Sequence, residues 1–219
     1  MGREIDLLIN YPKTKRDSQA RAKEKTDEIR NIARMFGREF FDGDRHYGYG
    51  GFFYNPRFWQ PVIPTFQQHF NLTSQSSILD VGCGKGFMMH DLSELIHGIT
   101  VKGVDISEYA IKNTIEDMKP HARVANATNL PFPDNSFDAV ISINTIHNLV
   151  QEECGKALQE IERVTRGKSF ITVDAYRTEE EKARMFEWNL TARTVMSVDG
   201  WVDFFKKVGY TGDYYWFIP

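Results

Sequence analysis

The sequence predicts an α/β fold: a doubly wound, mostly parallel sheet with helices on both faces, preceded by a helical and loop segment that acts as a lid. Three observations predict it. Apolar runs alternate with amphipathic helical stretches through the middle of the 219-residue chain, the pattern of βα units built into a parallel sheet. The run Ile78-Leu79-Asp80-Val81 passes straight into Gly82-Cys83-Gly84-Lys85-Gly86, a strand entering a glycine turn at the carboxyl end of such a sheet. A second acid, Asp105, ends the next apolar run, Val101-Lys102-Gly103-Val104, one βα unit later.

Taken in order, residues 13–40 are polar with an apolar stripe at Ile29, Ile32, Phe36 and Phe40, which reads as one helix packed on the domain or laid across a site. Residues 42–54 mix glycines with aromatic residues and form no regular element. Asn55-Pro56-Arg57 is a turn, and Phe58 to Phe70 forms two short helices because Pro61 and Pro64 interrupt it. Strands are expected at 77–81, 100–105, 121–125, 137–143 and 169–174, with helices at 86–97, 107–118 and 151–165. Ser107 caps the second of these helices and Gly167 ends the third. Thr178 opens a further helix to Leu190, Ser197 opens another to Val208, and Tyr210 to Ile218 is a strand. The organisation is a lid segment over residues 1–70 and a core domain over residues 71–219.

The glycine turn lets the backbone approach a ligand, with Gly82, Cys83, Gly84 and Gly86 forming its wall. Asp80 at the strand end can accept from an ammonium group, and Asp105 can take two ribose hydroxyls. That pair suits S-adenosylmethionine, which carries an amino-acid head and no pyrophosphate. A nicotinamide cofactor fits poorly, because its site shows an apolar residue where Asp80 stands.

The segments LDVGCGKG at 79–86, GVDIS at 103–107 and NATNLPFPDNSFDAVIS at 126–142 together resemble the class I S-adenosylmethionine-dependent methyltransferases, in their type 11-like, small-molecule branch. The resemblance covers roughly residues 76–175 and implies a Rossmann-like sheet; the family usually closes it with two antiparallel strands, whereas here either Ala192 to Met196 supplies some pairing or the sheet is a strand short. It further implies that Ile106 stacks on adenine, that Asn126 offers its amide carbonyl to the adenine amine, and that the Ala127 or Thr128 N–H donates to a ring nitrogen. Asn144, just past the fourth strand, touches the methionine portion. His147 lies where the transferred methyl is usually faced, and reads either as the catalytic base or as a residue that packs the turn. Aromatic residues before and after the core converge over the same strand ends. Tyr47, Tyr49, Trp59, Tyr176, Trp188 and Tyr214 are the expected substrate-binding walls, able to hold a cationic amine or stack a planar ring. Arg45, Arg57 and Arg177 are positioned in the sequence to bind an acidic group.

Composition supports an enzyme acting on small molecules. The formal charge of −3 argues against general nucleic-acid binding, and no Asn-Pro-Pro-Tyr-type motif follows the fourth strand. No apolar run is long enough to span a membrane. The two cysteines, Cys83 and Cys154, read as reduced thiols of a cytoplasmic protein, and no metal site is expected. The expected function is methyl transfer from S-adenosylmethionine to an N or O atom of a small acceptor. The alternatives are a protein or RNA acceptor, and a non-catalytic cofactor-binding regulator.

Overall fold

The computed structural model describes residues 2–13, 25–50 and 52–219. Its sheet contains β1 (Ser77–Val81), β2 (Thr100–Asp105), β3 (Ala122–Val124), β4 (Ala139–Ile143), β5 (Ser169–Tyr176), β6 (Met196–Ser197) and β7 (Asp213–Phe217). The spatial order is β3-β2-β1-β4-β5, with β6 and β7 both paired to β5. The strand order reverses between β1 and β4, so a crevice opens at their carboxyl ends.

Period-two alternation divides the core into two layers. Leu79, Val140, Ile171 and Val173 face α7 (Gln151–Val164) and α9 (Val198–Val208), together with Ala157, Leu158, Ile161, Trp201 and Phe205. Ile78, Val101, Ile141 and Phe170 face α4 (Ile63–Phe70) and α5 (Phe87–Leu95), with Phe66, Met89 and Leu92. Each such aliphatic side chain contributes about 1.5–3 kcal/mol of burial free energy. The doubly wound architecture and the Rossmann-like sheet are therefore as expected.

The predicted helix over 13–40 is different. Residues 14–24 lie outside the described residues, and the rest forms two pieces, α1 (Asp27–Ala33) and α2 (Arg38–Asp42). Thr26 caps α1 by accepting from the Ile29 N–H. The chain turns at Phe36, which has φ +49°, and Ser107 Oγ holds the Phe36 carbonyl in place. The apolar stripe therefore divides, and Phe36 and Phe40 point toward the crevice. Within the expected loop, Arg45–Tyr47 forms one 3₁₀ turn, and Gly51 lies outside the described residues. The two-piece reading of 58–70 corresponds to α3 (Pro56–Trp59) and α4.

The helix expected at 107–118 ends early as α6 (Glu108–Lys112), followed by a 3₁₀ stretch, Glu116–His121. Thr114 Oγ1 bonds back to the Ala110 carbonyl, and the Ile115 N–H bonds to the Lys85 carbonyl, which draws the chain onto the glycine turn. Pro120 then removes a backbone donor.

The end of the sheet also departs from the implied pattern. Met196 and Ser197 pair with Ala175 and Tyr176, so the stretch ending at Met196 does supply pairing. After it, α9 crosses back, and β7 runs parallel to β5 over Phe170–Asp174. A hairpin would have made the last strands antiparallel; a crossover helix makes them parallel. The outer edge of β7 is covered by the amino-terminal segment. Ile5 N–H donates to the Tyr214 carbonyl and Tyr214 N–H to the Arg3 carbonyl. Leu7 beyond it is buried. Among the described residues, no helix is long and apolar enough to cross a membrane.

Candidate functional site

One cleft of about 470 Å³ opens where β1, β2 and β4 end. Gly82, Gly84, Asp105, Ile106, Asn126, Ala127 and Asn144 line it, so most of the expected donor-binding residues meet around one volume. Its size suits a small ligand the size of a nucleoside joined to an amino acid.

Gly82 follows β1 with φ +88°, a conformation other residues rarely adopt. A Cβ there would come within 2.0 Å of Thr145 Oγ1. The glycine thus serves the close packing of the loop after β4 as well as the turn itself. Asp105 is fixed by two backbone donors: Gly84 N–H to Oδ2 at 2.8 Å and Ser107 N–H to Oδ1 at 2.8 Å. Each oxygen keeps a second acceptor site for a ribose hydroxyl. Burial raises the Asp105 pKa, and the N–H groups of Ser107, Gly84 and Ile106 counter it. Ile106 is 55% exposed, an apolar side chain available to stack on a ring. These features fit the donor molecule the sequence suggests.

Other expected donor contacts lie outside the cleft lining. Asp80 is buried beneath the turn, and its pKa is pushed up to about 8 by burial and then by the neighbouring Asp105 charge. An ammonium group close by would offset both causes. Cys83 is buried, and burial keeps it a thiol well above the usual range. Gly86 begins α5 and packs against Thr114. The Thr128 N–H is occupied by Asn126 Oδ1 at 3.0 Å, so of the two backbone donors proposed for adenine Ala127 has the better claim. That same bond engages the Asn126 carbonyl oxygen, which retains one free acceptor site.

His147 is not where the base reading needs it. It does not line the cleft and is 3% exposed. Its Nδ1 accepts from the Asp174 N–H at 2.9 Å, which leaves the proton on Nε2. Burial lowers its pKa, against the opposing pull of Asp174. The 3.7 Å approach of Nδ1 to Asp174 Oδ1 is therefore a contact of a neutral ring. The ring ties β4's following turn to β5, and the His147 carbonyl holds the Arg193 and Thr194 N–H groups.

The aromatic walls divide likewise. Tyr49 and Trp188 stack at 5.9 Å and line a separate cavity of about 130 Å³ with Lys25, Arg45, His46, Gly48 and Leu190. Lys25 Nζ lies 4.4 Å from the Trp188 ring centroid and donates to the Trp188 carbonyl. Tyr49 Oη accepts from the Leu190 N–H at 2.8 Å, and burial, then Asp174, pushes its pKa up to about 12. Tyr47 does not line this cavity; its ring packs at a tilt against His46, which does. The others are corrected. Trp59 packs on Tyr11 in the α4–α5 layer. Tyr214 is core, between Phe205 and Trp216. Tyr176, at the end of β5, faces Lys182. Of the arginines proposed for an acidic group, Arg57 lies over Phe58 and Arg177 pairs with Glu4.

The cleft is instead walled by residues the motifs did not single out. Phe36, Phe40 and Phe41 come from the amino-terminal helices, Thr145, Asn148, Leu149 and Glu153 from the region after β4, and Arg34 and Arg193 from two distant segments. Phe36 and Phe40 had been visible only as part of a helical stripe. No periodicity marks the arginines.

Comparison with known proteins points the same way. Residues 79–173 match the family described as methyltransferase domain. A rat mitochondrial arginine hydroxylase, NDUFAF5, is 36% identical over 89 residues, 40% of this chain and 25% of that protein. An Arabidopsis thaliana tRNA (carboxymethyluridine(34)-5-O)-methyltransferase is 33% identical over 144 residues, 65% of this chain and 33% of that protein. The chain thus spans a quarter to a third of the length of these curated relatives. A crystal structure described as a methyltransferase of an antibiotic biosynthesis pathway from Anabaena variabilis superposes with a TM-score of 0.53 at 26% identity, covering 67% of this chain and 60% of that one.

Proposed function

Because this chain belongs to the class I S-adenosylmethionine-dependent methyltransferase family, we propose that it transfers a methyl group to an N or O atom of a small-molecule acceptor. S-adenosylmethionine supplies an activated methyl on a sulfonium. The chain must align the acceptor behind that methyl and exclude water. The observation that carries this reading is the single cleft that gathers Gly82, Gly84, Asp105, Ile106, Ala127 and Asn144. In it, Asp105 would take the ribose hydroxyls and Ile106 would stack on adenine, while Asp80, buried beneath the turn, would meet the ammonium charge directly or through water. Of the segment 1–70 expected as a lid, the stretch that carries Arg34, Phe36, Phe40 and Phe41 covers the cleft and acts as the lid, whereas residues 3–7 and α4 are built into the sheet edge and the core. His147 acts as a positioning residue.

The acceptor side is bounded by phenylalanines and by the loop after β4, a concave, partly apolar surface better suited to a small molecule than to a helix of nucleic acid. The kinship with a structure from an antibiotic pathway favours the same choice. The tRNA methyltransferase among the relatives supports RNA as the second reading.

Calorimetry with S-adenosylhomocysteine and with NAD tests the donor. Asp105→Ala should weaken S-adenosylhomocysteine binding by about 1.5–3 kcal/mol through loss of charge-assisted hydrogen bonds. Unchanged affinity, or tighter binding of NAD, would overturn the donor assignment. Incubation with methyl-labelled S-adenosylmethionine and pools of amines, phenols, carboxylic acids and unmodified tRNA tests the acceptor. Label entering tRNA alone would replace the small-molecule reading.

A further inference from the structure

We infer that the acceptor carries a carboxylate, held by Arg34 and Arg193 at the mouth of the cleft, and a nucleophilic N–H or O–H group donated to Asn148 Oδ1. This rests on the reading of the cleft as a methyl-transfer site and names the acceptor class for it.

The two guanidinium groups come from segments distant in sequence that meet at the cleft. Arg34 ends α1, half-buried, and its Nε donates to the Thr191 carbonyl at 3.4 Å. Arg193 is anchored by its backbone N–H, which donates to the His147 carbonyl at 2.9 Å. Both line the cleft, Arg193 beside the loop after β4 through its backbone bond to His147. Among the described residues, neither pairs with a carboxylate within 4.0 Å. Glu153 faces the same cleft without closing an ion pair to either. Nearby Arg30 is already paired with Asp27 at 3.4 Å.

Two guanidinium groups turned to one cavity repel each other, and the charge of Asp27 counters this only in part. Burial, then the charge of Arg193, then that of Arg30 lowers the pKa of Arg34. An arriving carboxylate reverses this repulsion and meets donors in the fork geometry it prefers.

Asn148 adds the second half. Its Nδ2 donates to the Asn144 carbonyl at 3.2 Å, which fixes the orientation of the amide. Its Oδ1 is then a buried acceptor with no partner. An unmet acceptor in a ligand cleft calls for a donor on the ligand. An attacking hydroxyl or amine supplies one; as its oxygen or nitrogen bonds the methyl carbon, the carbon–sulfur bond of the sulfonium breaks, the sulfur keeps the electron pair and the proton passes to solvent at the open side of the cleft. Phe36 and Phe40 flank the space and suit an aromatic or apolar body between the two polar ends.

The test uses the full chain saturated with S-adenosylhomocysteine. Four probes are titrated by saturation-transfer NMR: 4-hydroxybenzoate, 4-hydroxybenzamide, benzoate and 4-hydroxybenzylamine. We expect 4-hydroxybenzoate to bind at least about tenfold more tightly than the neutral amide or the cationic amine, the effect of one charge-assisted pairing. Removing its hydroxyl, as in benzoate, should also weaken it. Arg193→Gln and Arg34→Gln should each cut the preference for 4-hydroxybenzoate over the amide to under threefold. S-adenosylhomocysteine affinity should stay within twofold of wild type, and Arg193→Lys should keep part of the preference. The proposal falls if no probe binds, if the amide or amine binds as well as 4-hydroxybenzoate, or if benzoate matches it. It also falls if the arginine variants weaken S-adenosylhomocysteine but not 5′-methylthioadenosine, which lacks the carboxylate. In that case the arginines serve the donor's own carboxylate. Failure of the wild-type chain to bind S-adenosylhomocysteine at all would instead overturn the methyl-transfer reading.

Discussion

At the residue scale, Asp80 ties the donor site to stability. Its folded pKa of about 8 lies above that of an unfolded aspartate. The folded chain therefore holds this proton more tightly, and stability falls as pH rises from about 4 toward 8. Asp80→Asn removes that dependence. Urea melts of the ligand-free protein should show the variant gaining on wild type across this window and levelling off above it. A constant difference at every pH would mean that Asp80 ionises normally. His147 gives a second expectation. His147→Ala should leave the Asp174 N–H unpaired and cost about 1–3 kcal/mol of stability, while the pH dependence of turnover keeps its shape. A lost acidic limb would restore it as the base. Two glycines test how sequence signals differ in depth. Gly82→Ala meets both a positive φ and Thr145, and should cost about 3–5 kcal/mol. Gly167→Ala also has positive φ, +99°, but nothing within 4 Å, and should cost only about 1–2 kcal/mol. Equal losses in denaturant melts would remove the packing argument. The glycine turn and Asp105 were legible because a strand, a turn and an acid occur at a fixed spacing. Arg34, Asn148 and Arg193 were not, because an arginine or asparagine acquires its meaning from what the fold sets beside it.

At the scale of elements, local chemistry explains where the expected boundaries hold. Helix α8 (Glu179–Trp188) begins where predicted because Thr178 accepts from the Glu181 N–H while the Glu181 carboxylate returns to the Thr178 N–H. Thr178→Ala should cost about 1 kcal/mol, measured by thermal unfolding; no change would mean that the first turn is held by tertiary contacts alone. β1, β4 and β5 were legible because each is an apolar run buried on both faces, and β2 and the exposed edge strand β3 because they continue the strand–helix alternation. Two elements were not. The split between α1 and α2 depends on Phe36 adopting positive φ under a hydrogen bond from Ser107, a partner far along the chain. The early end of α6 depends on the Lys85 carbonyl. The parallel course of β7 also escaped the sequence, since alternation in a strand records which faces are buried and not the direction of its neighbour.

At the scale of the molecule, donor and lid are coupled through the phenylalanines. Phe36, Phe40 and Phe41 form one wall of the cleft, so a ligand that fills it restrains both amino-terminal helices. Amide exchange in residues 38–49 should slow on addition of S-adenosylhomocysteine, and proteolysis there should be suppressed. Unchanged exchange would make the segment a fixed wall. The pairing of Arg3–Ile5 with Tyr214 has a different kind of consequence. Residues 3–5 and Tyr214 lie far apart along the chain, so this edge closes through contacts of long sequence separation, which form late in folding. Until then β5 lacks the neighbour supplied by β7, and its bare edge is open to other chains. A folding intermediate in which β7 has not docked thus carries an association-prone edge, and closing that edge of the sheet is the step that releases the protein from the hazard.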